Sequence, residues 1–164
     1  MRIIFLLIAL ICAGLVSYAL YLQLADGLLP CPLCIFQRMA YWLVGITALF
    51  AFIHHPQRLG RRIYCGLIIL FSLAGAIVAG RQAWLVRFPE AFECGISPEE
   101  AFLNELPLAR WWPDMFEANG DCTDGTWQFL SLTIPDWSLL IFLAFSLTAG
   151  LLWRSRSISS SNLK

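Results

Sequence analysis

Four apolar runs dominate the pattern of the chain, at about residues 3–22, 35–53, 63–80 and 137–153. Each has the length a helix needs to cross a bilayer core, roughly 17–25 residues. The pattern therefore predicts an all-α membrane protein, a four-transmembrane-helix bundle forming a single integral domain over residues 1–164. Residues 23–34 make a short loop at one face, and residues 54–62 read as a tight turn at the other. The segment 81–136 is too long for a mere connector. Inside it, Ser97-Pro98-Glu99-Glu100 has a helix-start signature, with Ser97 as N-cap, Pro98 at N1 and Glu100 reaching back. A short helix to about Leu106 is expected. Leu106, Leu108, Trp111, Trp112, Met115 and Phe116 then form an apolar, aromatic stretch suited to the headgroup region, with Trp84, Trp127 and Trp137 as further interfacial anchors.

Composition agrees with the pattern. Hydrophobic residues make up 59% and charged residues 13%, with a mean hydropathy of +0.71. Soluble domains are nearer 45–50% apolar and about 25% charged. Disorder and a fibrous repeat are excluded, and so is a nucleic-acid binder, since the net charge is zero. Arg2, the apolar run behind it and Ser17-Tyr18-Ala19 resemble a cleavable signal peptide. The run continues through Leu20, Tyr21 and Leu22, longer than a usual signal core, so it is read as a retained span.

Charge orients the bundle. The segments 1–2, 54–62 and 154–164 carry seven cations (Arg2, Arg58, Arg61, Arg62, Arg154, Arg156, Lys164) and no acid. All eleven acids fall in the other connecting segments, 23–34 and 81–136. The positive-inside rule then places both termini and the short middle loop in the cytoplasm, and the loops 23–34 and 81–136 outside.

Six cysteines follow that division. Cys12 and Cys65 fall in spans, where a lone cysteine is a small inert hydrophobe. Cys31, Cys34, Cys94 and Cys122 lie on the outer side, which in a bacterium is oxidising and permits disulfides. Cys31-Pro32-Leu33-Cys34 is a Cys-x-x-Cys motif at the start of the second span, with Pro32 suited to the first helical turn. A thiolate there meets free backbone N–H groups and the positive end of the helix dipole. Arg38 shares a helix face with Cys34, roughly 6 Å deeper along the axis. An arginine at that depth requires a polar or anionic partner. It is read as the partner of a negative charge that forms during reaction, against a snorkelling anchor of the helix end.

Cys94 and Cys122 bracket much of the long loop. Three readings fit: a structural disulfide stapling the loop, a four-cysteine zinc site, or a dithiol relay with Cys31 and Cys34. Zinc is disfavoured because such sites use two close pairs. Thiolate–disulfide exchange makes the relay chemically sound. The acidic neighbours Glu93, Asp121 and Asp124 are expected to raise the thiol pKa values on both sides of the loop.

The run Cys31-Pro32-Leu33-Cys34-Ile35-Phe36-Gln37-Arg38, the loop from Pro113 to Cys122 and then Trp127-Gln128-Phe129-Leu130 resemble the DsbB family of disulfide bond formation proteins. The resemblance covers nearly the whole chain. It implies an inner-membrane oxidoreductase that reoxidises a periplasmic thioredoxin-like dithiol oxidase of DsbA type and reduces a membrane quinone, ubiquinone or menaquinone. It also implies redox disulfides Cys31–Cys34 and Cys94–Cys122. The partner is expected to attack Cys94, the released Cys122 to attack Cys31, and Cys34 to face the quinone with Arg38 beside it. Some members carry an acid where Gln37 stands, and some a histidine near Gln82, which bears on quinone type and affinity. Two other classes are a scaffold held by structural disulfides and a conduit carrying reductant outward. The conduit needs paired cysteines reachable from the cytoplasm, and Cys12 and Cys65 form no such pair in sequence.

Overall fold

The computed structural model describes residues 2–27, 29–88, 105, 107, 111–116, 118, 120–122 and 128–154. Cys94, Leu106, Leu108, Trp127 and, apart from the helical Glu105, the expected helix from Ser97 lie outside the described residues. Four long helices carry the fold: α1 (Arg2–Asp26), α2 (Pro32–His54), α3 (Arg58–Arg87) and α5 (Ile134–Arg154). All four are long and apolar enough to cross a membrane, so the chain is a four-helix membrane protein. A single turn, α4 (Pro113–Phe116), and a hairpin of β1 (Gln128–Phe129) and β2 (Leu132–Thr133) precede α5.

The helices outrun the apolar stretches that predict them. α1 continues to Asp26 and stops at Gly27, whose φ of +66° suits a left-handed helix end. α2 begins at Pro32, so the connection between them is only residues 27–31. Cys31 is the N-cap of α2, and its own sulfur accepts the Cys34 backbone N–H at 3.3 Å. At the opposite end His55 takes a left-handed conformation (φ 47°) and closes α2 ahead of Pro56. α3 runs to Arg87, past the apolar run, because Arg81 and Gln82 do not break a helix. Phe88 caps it by donating to the Trp84 carbonyl.

α3 packs most extensively on α5, and α2 packs on both α1 and α3. With no hydrophobic drive between helices in lipid, close approach rests on small residues. Gly45 receives the Cys12 Cβ, and a Cβ on Gly66 would stand 2.9 Å from the Trp153 ring. Gly75 faces Phe142, which stacks on Tyr41 with centroids 4.2 Å apart. Cys12 and Cys65 are buried in this core. Ile3, Leu7, Leu10, Leu70, Ile77 and Leu147 point outward, as lipid-facing positions do.

The aromatic stretch before α5 divides. Trp111 and Trp112 are exposed, while Met115 is buried at 1% and enters the bundle core. The hairpin turns at Leu130 and Ser131, both with positive φ (54° and 63°), as a two-residue primed turn requires. At the start of α5, Asp136 accepts from the Thr133 N–H (3.0 Å) and hydroxyl (2.7 Å). The Asp136 carboxylate also meets Arg87 at 2.9 Å, tying the end of α3 to the start of α5.

Candidate active site

Cys31, Cys34 and Cys122 come together where the start of α2, α3 and the segment before β1 meet. Cys31 and Cys122 are buried and cluster with Leu33 and Leu85, and Cys34 packs against them. The Cys31 and Cys34 sulfurs are 3.0 Å apart, with Cys31 as donor. Cys122 hydrogen-bonds to the same Cys31 sulfur. Cys94 lies outside the described residues.

Local packing explains how Cys122, distant in sequence, reaches Cys31. Ala118 is fully buried against Ile35 of α2. Gly120 donates its N–H to the Pro30 carbonyl at 3.0 Å. A Cβ at Gly120 would collide with the Leu29 carbonyl and stand 3.0 Å from the Cys31 nitrogen. Only glycine lets the backbone lie this close, and Cys122 follows two residues later.

The thiols differ in proton affinity. Cys31 is pushed well above the ordinary thiol value, first by its hydrogen bond with Cys122, then by that with Cys34 and by burial. Cys122 is lowered by the hydrogen bond from Cys31, and the Leu33 backbone N–H adds to this against the cost of burial. The proton is therefore held more tightly on Cys31 than on Cys122, which eases formation of the Cys122 thiolate, the form that attacks disulfides. The sequence expectation for Cys122 ran the other way. Asp121 does push this thiol upward, but it ranks behind the direct hydrogen bond.

Arg38 is 7% exposed, so it does not reach out to water as a snorkelling anchor does. Its Nη1 donates to Gln23 Oε1 of α1 at 2.9 Å, and the guanidinium lies within electrostatic reach of Cys34. Both residues line a cavity of about 360 Å³ between α1, α2 and α5. Tyr41, Gln82, Trp137 and Ser138 join them, and Leu15, Val16, Ala19, Leu22 and Ile141 supply apolar wall. Phe129 of the hairpin also borders it.

Sequence reading assigned no role to Gln82 and Gln37, though it noted both positions. Gln82 Nε2 of α3 sits 3.1 Å from the Cys34 sulfur and 3.3 Å from that of Cys31. Gln37 Nε2 donates to Gln82 Oε1 at 2.6 Å. Their signal was present: an uncharged polar side chain in an apolar helix needs a partner. Gly120 had no such signal outside the family motif.

Comparison with known proteins agrees over the same length. The family model for disulfide bond formation protein DsbB matches residues 1–152. A disulfide bond formation protein B of Nitrosomonas europaea is 99% identical over 164 residues, covering 100% of both chains. One from Nitrosomonas eutropha is 83% identical, over 95% of this chain and 96% of its own. Another, from Aromatoleum aromaticum, is 47% identical over 85% and 84%.

Proposed function

The chain belongs to the DsbB family of disulfide bond formation proteins, a membrane disulfide-generating oxidoreductase, and from that premise we propose that it reoxidises a periplasmic thioredoxin-like dithiol oxidase of DsbA type and passes the electrons to a membrane quinone. In this reading the protein sits in the bacterial inner membrane with both termini cytoplasmic, as the segregation of cations from acids supports. The observation that carries the proposal is the convergence of Cys122, Cys31 and Cys34 beside a cavity lined by Arg38.

The cavity fits a quinone. Its volume lies within the range of small-molecule sites, about 300–1,000 Å³, and its apolar wall on α1 and α5 suits a ring with a prenyl tail. Cys34 and Arg38 would hold the ring end, whether the quinone is ubiquinone or menaquinone. When bound, it supplies a two-electron sink for the dithiol.

The residues of the chain perform the rest by exchange. A partner thiolate attacks Cys94 of a Cys94–Cys122 disulfide; that S–S bond breaks, a mixed disulfide forms, and the electron pair leaves on Cys122. The Cys122 thiolate then attacks Cys31 of a Cys31–Cys34 disulfide. A Cys31–Cys122 bond forms, and the pair of electrons moves to Cys34. Each step conserves one disulfide. The backbone contact of Gly120 supports the second step, since it sets Cys122 against Cys31 rather than Cys34. Arg38 faces the charge that appears on Cys34, and burial strengthens that attraction by excluding water.

The test is purified protein in detergent with a reduced DsbA-type partner and ubiquinone, following quinone absorbance and partner thiols together. Loss of one quinone per partner dithiol is expected. Absence of quinone consumption by a protein whose Cys31–Cys34 pair is intact would overturn the reading.

A further inference from the structure

Gln82 of α3 hydrogen-bonds to both sulfurs of the Cys-x-x-Cys pair. Gln37 Nε2 donates to Gln82 Oε1 at 2.6 Å. The Gln82 oxygen is thereby engaged, and its NH₂ group faces Cys31 and Cys34. With two N–H bonds and two sulfurs at 3.3 and 3.1 Å, it can serve one hydrogen to each. Gln82 is 4% and Gln37 4% exposed, so water does not compete for either amide.

We propose that Gln82 is a catalytic residue that stabilises the sulfur charge released when the Cys31–Cys34 bond opens, and that Gln37 is the positioning residue that aims it. The proposal rests on the exchange reading above. When Cys122 attacks Cys31, the S–S bond to Cys34 breaks and the electron pair stays on Cys34, 3.1 Å from a donor already in place. A hydrogen bond to a charged group contributes more than one between neutral groups, and a fixed donor needs no reorganisation as the charge forms. An amide has no titrating proton, so this support neither appears nor vanishes with pH.

The test reads the dithiol itself, with neither partner nor quinone present. In a Cys94→Ser, Cys122→Ser background in detergent, the Cys31–Cys34 pair is equilibrated with glutathione, and thiolate ultraviolet absorbance is read on the reduced form. Removing a donor to the thiolate destabilises the reduced pair. Gln82→Glu keeps the shape and still accepts from Gln37, but presents an oxygen to the sulfurs. It should shift the equilibrium toward the disulfide by about tenfold or more and weaken the thiolate absorbance. Gln37→Glu leaves Gln82 intact yet obliges its NH₂ to turn toward the new carboxylate, putting its oxygen on the sulfurs. It should reproduce the same shift. A merely structural tie between α2 and α3 would lower thermal stability in these variants and leave the glutathione equilibrium where it was. Unchanged equilibrium and absorbance in both folded variants would overturn the proposal; should one fail to fold, the other decides. Because quinone and partner are absent, failure here is separable from failure of the proposed function, which the turnover assay reads.

Discussion

Gly120 lies against the backbone of Pro30, with its N–H on the Pro30 carbonyl at 3.0 Å and no room for a Cβ beside Leu29. This contact fixes where Cys122 sits relative to Cys31. Gly120→Ala must lift the segment away from the α1–α2 connection, and α2 itself loses nothing. Misplacing reacting groups by an ångström costs up to about a hundredfold in rate. The expected result is a drop of roughly tenfold or more in formation of a Cys31–Cys122 bond. Mild oxidation of a Cys34→Ser, Cys94→Ser protein, with cross-linked peptide quantified by mass spectrometry, reads it directly. Wild-type yield in the alanine variant would show that the close approach is incidental.

Cys122 is the only described cysteine besides Cys34 that touches Cys31. If it carries the equivalent inward, Cys122→Ser strands the partner on Cys94 as a mixed disulfide, because no thiolate remains to open Cys31–Cys34. That adduct should accumulate on non-reducing gels while turnover falls to background. Cys12→Ser and Cys65→Ala should turn over normally, since both side chains are buried in the helix core away from the site. Full turnover by Cys122→Ser would favour a structural staple instead.

Hydropathy made the four helices legible, because an apolar run of span length admits few other structures in lipid. Their ends were less legible. α3 continues seven residues beyond Gly80 to Arg87 because polarity alone does not terminate a helix. The hairpin before α5 was invisible: a primed two-residue turn is normally announced by Asn-Gly or Asp-Gly, and here it is built from Leu130 and Ser131. Within the site, Cys31, Cys34 and Arg38 were readable from spacing on one helix. The approach of Cys122 came only through resemblance to a family. The Gln37–Gln82 pair joins positions 45 residues apart on different helices, and only the packing of α2 on α3 reveals that they meet.

The polarity between Cys31 and Cys122 sets a pH dependence. Cys122 titrates below the ordinary thiol value chiefly because Cys31 donates to it. A lowered value means a larger thiolate fraction near neutrality, lost only as pH falls through that lowered value. Cys31→Ala removes the donor and should move the pH midpoint of Cys122 alkylation upward, leaving the Leu33 N–H as partial support. Cys31→Ser keeps an O–H donor and should move it less. Iodoacetamide rates on reduced protein across pH, read at the Cys122 peptide, give the comparison. Identical midpoints in the alanine variant and the wild type would remove Cys31 as the cause.

Arg38 separates binding from reaction. Its guanidinium is buried, held by Gln23 at 2.9 Å, and shares the cavity with Cys34. A cation there attracts the Cys34 sulfur only once that sulfur carries charge, and under the proposed function it would attract the oxygens of a quinone before and after reduction. Interactions present mainly in the reacting state lower kcat when lost, whereas those made equally to the bound ground state raise KM. Arg38→Met should do both, with kcat falling by about tenfold or more, the scale expected for a hydrogen-bonded charge. Arg38→Lys keeps the charge without the planar fork and should recover part of kcat, but less of the Gln23 contact. Gln23→Leu tests the support alone: the guanidinium stays charged but loses its fixed position, so KM should rise more than kcat falls. Quinone reduction by a reduced DsbA-type partner supplies the kinetics, and a thermal scan confirms that each variant is folded. A folded Arg38→Met with wild-type kcat and quinone KM would reduce the arginine to packing between α1 and α2.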